Sequence, residues 1–251
     1  MMKNTNTLLN NEDGVISIEF AACFFIFTLL LFVIYDTYSS IALQNKLERV
    51  NYSTASVFRE RSALYPVIDD TGSGALNYSI CRKNGASCFK THELFNDTQL
   101  DELKSLASSL MGKDVAVKVD TLYILQDKNN PADLSHAMQI NINGESCPAS
   151  GCTSEIQTYF NSLPSIEMNN YTDLVPFVPR SITNGSNVTG RWIPLYRVSM
   201  CIINEESLYL KWINSSRQEN GVLPNLCSNV VVLSRCNDIE YADKPCPVYL
   251  R

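Results

Sequence analysis

Residues 14–35 read GVISIEFAACFFIFTLLLFVIY. From Val15 to Tyr35 the run is apolar but for Ser17, Glu19 and Thr28. At about 1.5 Å rise per residue, a helix of this length spans roughly the 30 Å hydrocarbon core of a bilayer. No other stretch comes near it in length, so the chain reads as single-pass, with residues 15–35 as the transmembrane segment. Outward from the span, Leu43, Leu47, Val50, Thr54, Val57, Arg61 and Leu64 step by four and three residues in turn. That spacing predicts one helix face, and no Gly or Pro interrupts the chain between Val15 and Tyr65. Pro66 stops it. The expectation is a rod of roughly 75 Å, half in the membrane and half (residues 36–65) outside it.

Three readings compete for the apolar run. A secretory signal peptide calls for a basic leader, a shorter apolar region and a small-x-small cleavage site. Here Lys3 is the only basic residue ahead of the run, and no such site follows Tyr35. A plain signal anchor fits the length. The third reading turns on Glu19. An ionised carboxylate in hydrocarbon costs on the order of 2.5–3.5 kcal/mol, so an acid inside a span points to function. Glu19 is the fifth residue after Gly14, which closes the short polar stretch of residues 1–14.

A glycine ending a polar leader, an apolar stretch beginning at once and a glutamate five residues on together resemble a type IV prepilin. The resemblance implies cleavage by a prepilin peptidase between Gly14 and Val15, with residues 1–14 left on the cytoplasmic side. It also implies that Glu19 serves subunit assembly. The freed α-amine of Val15 would be a cation at membrane level, so a neighbour's Glu19 could pair with it and offset the cost of both buried charges. The likeness runs on through Asp36 and the stretch LERVNYSTASVFRERSALY at 47–65. Over residues 12–66 the chain resembles the TadF family, minor pseudopilins of the tight-adherence (Tad/Flp) pilus system. Where relatives carry Lys or Arg before the glycine, this leader ends Asn11-Glu12-Asp13. The family implies a non-enzymatic role and three partners: the prepilin peptidase, a TadE-like pseudopilin and the inner-membrane Tad assembly platform. It further implies an inner-membrane location with the C-terminal head in the periplasm, and adhesion and biofilm formation as downstream effects.

Composition narrows the function classes. The 251 residues carry 20 Lys+Arg against 26 Asp+Glu, a net charge of −6. An acidic chain without a basic run argues against nucleic acid as a partner, because phosphate neutralisation needs clustered cations. Hydrophobic residues make up 45%, enough for a core. Two histidines, His92 and His136, lie on unrelated segments and read as surface residues, which removes most routes to general-base or zinc chemistry. No phosphate loop, nucleophile elbow or cofactor motif occurs. The acidic pairs Asp69-Asp70 and Glu205-Glu206 read as solvated.

Beyond Pro66 the periodicity changes, and residues 66–251 read as an extracytoplasmic α+β head. Asp69–Gly74 suits a hinge. A helix should open at a capping box of Thr98 and Asp101 and end at Gly112. Val115, Val117, Val119 and Thr121 alternate with Ala116, Lys118 and Asp120, the period of a half-buried strand. Met138, Ile140 and Ile142 mark a second strand, and a short helix should follow at Ser154–Leu163. The polar Pro164–Pro194 stretch reads as a long connection holding the Asn184-Gly185 turn. Strands at Leu195–Ile203 and Asn229–Arg235 flank a helix at Glu205–Ile213. Four strands and three short helices predict a small antiparallel sheet against the outer half of the long helix.

Nine cysteines favour an oxidising compartment. Cys23 lies in the span as a small packing residue; the other eight, all outside, are disulfide candidates. Cys81 with Cys88 and Cys147 with Cys152 are close enough to pair locally. For the rest, Cys201–Cys227 with Cys236–Cys246 and Cys201–Cys236 with Cys227–Cys246 both stand. Zinc or redox use would need CxxC spacing or a nearby His, and neither is present. Seven Asn-x-Ser/Thr sequons, at Asn51, Asn77, Asn96, Asn170, Asn184, Asn187 and Asn214, keep a second hypothesis open. On it, the chain is a membrane-anchored extracytoplasmic binding or adhesion module that is not processed as a pilin.

Overall fold

A computed structural model describes residues 12–65, 92–127, 129–179, 190–203 and 225–236. The first element, α1, runs from Glu12 to Arg59 and carries the whole apolar stretch. It stops six residues short of the Tyr65 expected from the lack of Gly and Pro, and a single turn, α2, follows at Arg61–Leu64. The cause is a tertiary contact. The Arg59 carbonyl accepts the backbone N–H of Arg235 at 2.8 Å, and the Glu60 carboxylate accepts from Arg235 Nη1 at 2.9 Å. A carbonyl and a side chain at the helix end are thus held from outside, and Glu60 N–H closes a tighter turn onto Val57.

The described chain forms two compact units, divided within α1 between Leu43 and Gln44. In the first, every side chain from Ser17 to Tyr35 is exposed. The second is the head, together with the last turns of α1. Its elements are α3 (Asp97–Met111), β1 (Ala116–Leu125), β2 (Met138–Ser146), α4 (Ser154–Ser162), β3 (Phe177–Pro179), β4 (Gly190–Trp192), β5 (Leu195–Ile203) and β6 (Asn225–Leu233). Strands β2-β1-β5-β6 make one antiparallel sheet, and β3-β4 a separate hairpin.

Alternation sorts the sheet's side chains onto two faces, and both are covered. One face carries Val117, Val119, Tyr123, Tyr196, Val198 and Met200, with the end of α1 and α3 against it. Asn51 Nδ2 reaches the Val198 carbonyl at 3.3 Å, Phe58 meets Tyr196 edge-on at 5.3 Å, and Lys46 Nζ joins the two helices through the Met111 carbonyl at 2.8 Å. The other face carries two apolar clusters. In one, Ala116 and Cys201 meet Ile156 and Phe160 of α4; in the other, Leu122, Ile124 and Leu195 meet Ile166, Val175 and Trp192. So β1, read as half-buried, is a central strand buried on both sides. Its Lys118 and Asp120 do not mark a solvent face, because each finds a polar partner under the second layer.

The buried face of α1 also differs from the expected one. Leu47, Val50 and Thr54 are buried as expected, but the stripe then continues through Ala55 and Phe58. Val57 is half-buried, Leu64 is exposed, and the Arg61 side chain lies outside the described set. Steps of four and three average slightly below the helical 3.6, so the chosen stripe drifts off the true face within a few turns.

Local signals fared unevenly. The α3 helix ends at Gly112, whose φ of 73° suits glycine, but its cap is Asn96 and not Thr98: the Asn96 side chain accepts from Gln99 N–H at 2.9 Å. The connection at Pro164–Pro194 is not structureless, for it contains a helical turn at Met168–Tyr171 and the hairpin, in which Phe177 faces Trp192. The last strand begins at Asn225, four residues before the expected start, and ends at Leu233. The expected hinge at 69–74, the helix at 205–213 and the Asn184-Gly185 turn lie outside the described residues.

Candidate functional site

Gly14 and Val15 fall within α1, whose helical backbone begins at Glu12. Glu19 lies four residues beyond Val15, one turn along the same side of the helix. It is exposed on an apolar surface and makes no hydrogen bond or ion pair among the described residues. Its surroundings are ring and alkyl groups: Phe20 stacks on Phe24 at 6.4 Å, and Phe25, Ile26 and Phe27 follow, all exposed. Two threonines in this part of the helix bond to their own backbone. Thr28 Oγ1 donates to the carbonyls of Phe24 and Phe25 at 3.0 and 2.9 Å, and Thr37 Oγ1 to that of Val33 at 2.8 Å. A surface with no water to bond to needs that closure. Tyr35 and Tyr38 flank Asp36 where the apolar run ends, the place where aromatic rings favour a membrane interface. The helix is long and apolar enough to cross a membrane, with an 18-residue window of mean hydropathy 2.5 that is nowhere buried.

Two ion pairs of the head are buried. Glu93 is fully buried and takes a two-pronged contact from Arg191, Nη1 to Oε2 at 3.0 Å and Nη2 to Oε1 at 2.9 Å. Ser234 Oγ also donates to Oε1, while Tyr123 and Tyr196 both donate their hydroxyls to the Glu93 carbonyl. This node ties the loop before α3 to β1, β4, β5 and the end of β6. Sequence reading missed it, since Glu93 and Arg191 lie 98 residues apart in no local pattern. The second pair, Asp120 with Arg197, had a visible signal. Each interrupts an apolar strand, and they stand directly opposite in the β1–β5 register.

The remaining candidates are scattered. His92 Nδ1 lies 2.7 Å from the Tyr65 carbonyl and donates to it, whereas His136 is exposed beside Asp133. Among the described residues, no group of three or more His, Cys, Asp or Glu side chains could hold a metal ion. Cys147 is bonded to Cys152, and Cys201 to Cys227. The second bond is one of those expected for the late cysteines, its companion Cys236–Cys246 reaching outside the described residues, and it joins residues directly paired across β5 and β6. Cys236 is also disulfide-bonded, and Cys81, Cys88 and Cys246 lie outside the described residues. Cys23 is free and exposed. One sequon is taken up structurally: Asn51 is buried with its amide on Val198 and Ser228, so it is not available to a glycan in this fold.

Residues 7–235, nearly the whole chain, match the model of a family described as "Putative tight adherence pilin protein F". No curated protein and no solved structure matches the chain. An N-terminal helix whose exposed apolar run, residues 15–35, carries one acid, followed by a disulfide-bonded antiparallel head, is the architecture on which this match falls. The chain belongs to the TadF family, and is a protein of the tight-adherence pilus system.

Proposed function

We propose that this chain is a non-enzymatic minor pseudopilin, cleaved by a prepilin peptidase between Gly14 and Val15 and held in the inner membrane by residues 15–35. The head stands in the periplasm. One observation carries the reading: Glu19 is an unpartnered acid on the bare apolar surface of α1, in a chain of the TadF family. A carboxylate there is costly for a lone protomer in lipid. A neighbouring protomer offering the Val15 ammonium would offset that cost, so the residue favours assembly over isolation. The partners on this reading are the peptidase, a TadE-like pseudopilin and the inner-membrane Tad assembly platform. Surface attachment and biofilm formation follow from the pilus that they build.

N-terminal sequencing of the mature protein tests the first step. It should begin at Val15, and Gly14→Ala should leave the unprocessed chain. Glu19→Gln should be cleaved normally yet fail to enter the pilus assembly, measured by crosslinking to neighbouring pilins. A mature protein still starting at Met1 in cells with active peptidase overturns the reading, as does normal assembly by Glu19→Gln.

A further inference from the structure

The most organised uncommitted chemistry of the head lies on the α4 side of its sheet. A cleft of about 260 Å³ opens there, with Lys118, Asp120 and Arg197 at its floor and Asn143, Asn161 and Ser165 among its lining. Arg197 is immobilised: Nε and Nη2 donate to Asp120 Oδ2 at 3.1 and 2.6 Å, and Nη1 to the Pro164 carbonyl at 2.6 Å. Asp120 Oδ2 thus accepts twice, while Oδ1 accepts from none of the described residues. Lys118 Nζ lies 3.9 Å from Oδ1, beyond hydrogen-bond reach. Lys118 is itself anchored by one bond to the Phe160 carbonyl at 3.1 Å, which leaves further ammonium protons unused. Around this floor the side chains of Asn143, Asn161 and Ser165 are exposed and make no hydrogen bond to a described residue.

We propose that this cleft binds a single sugar ring, one of whose hydroxyls accepts from Lys118 Nζ and donates to Asp120 Oδ1. The donor and the acceptor are both held by other bonds, lie just too far apart to satisfy each other, and are largely desolvated. A hydroxyl fills that gap because it donates and accepts at once. Other ligand classes fit worse. A cation meets Lys118 and Arg197, an anion meets Asp120, and an apolar molecule would strip water from three charged groups without replacing its bonds. The carboxamides of Asn143 and Asn161 offer the same paired donor and acceptor to neighbouring hydroxyls. The volume lies below the ~300–1,000 Å³ usual for drug-sized ligands, which suits one ring and excludes a long chain within the cleft.

The test is a calorimetric and ligand-observed NMR titration of the full chain with glucose, galactose, mannose and N-acetylglucosamine, in a detergent whose headgroup is not a sugar. At least one should bind saturably in the millimolar range or tighter. Lys118→Met keeps the apolar stem and removes the ammonium, and should weaken binding about tenfold or more. Asn161→Ala, at the exposed rim, should weaken it by about threefold to tenfold, and decides the matter should Lys118→Met fail to fold. Absence of saturable binding by all four sugars overturns the proposal. So does binding that neither variant alters, or acetate occupying the cleft where no sugar does.

Discussion

Removing Arg191 takes two charge-assisted hydrogen bonds from a buried carboxylate, that of Glu93. Arg191→Met should therefore destabilise the head by about 3–5 kcal/mol, read from urea unfolding of the full chain by tryptophan fluorescence. Glu93→Gln in the same background should recover part of that loss, because a neutral amide costs less to bury than a carboxylate. Surface acids set the response to pH. Asp101 is held below its ordinary value of 3.8, first by the Ser146 hydroxyl that donates to it and then by Lys104. The Ser135 backbone N–H does the same for Asp133, and the backbone N–H of Glu155 for its own carboxylate at the start of α4. Each is depressed in the folded state, so each contributes stability that is full above its unfolded value and is lost as pH falls through its folded value. Asp101→Asn should flatten the fall in stability below pH ~4, measured as the acid dependence of the urea midpoint.

At the scale of elements, the hairpin β3–β4 depends on a close approach. A Cβ on Gly190 would collide with the Phe177 ring and meet the Val178 carbonyl at 2.8 Å. Gly190→Ala should push Phe177 off Trp192 and cost about 1–3 kcal/mol, visible as altered tryptophan emission and a lowered melting temperature. Asn96→Ala, which deletes the α3 cap, should cost about 1 kcal/mol in the same assay. These elements also show what was legible beforehand. The apolar span, the end of α3 at Gly112 and the strand Leu195–Ile203 each carry their signal in contiguous residues. The hairpin does not: three-residue strands too short for a period are paired across a Pro-rich connection. The end of α1 was equally hidden, because the group that captures the Arg59 carbonyl comes from Arg235. At the candidate site, Glu19 stood out as a lone acid in an apolar run. The Glu93–Arg191 node could not, since distant partners leave no spacing to read.

Across the whole molecule, the disulfide between Cys201 and Cys227 closes a 26-residue separation and fastens two strands already paired at those positions. Replacing both by Ser should lower stability by on the order of 3 kcal/mol, and reductant, which opens the other disulfides as well, should lower that of the native chain by at least as much. The bond beside α4, Cys147–Cys152, spans only five residues and should matter less. One practical consequence follows from where α1 divides. Its last turns supply Leu47, Val50, Ala55 and Phe58 to the interior of the head. Anyone trimming away the greasy anchor to obtain a water-soluble fragment should cut soon after Tyr35. A boundary at Pro66, where the sequence first breaks its helical pattern, would remove those side chains and leave α3 alone to cover that face of the sheet.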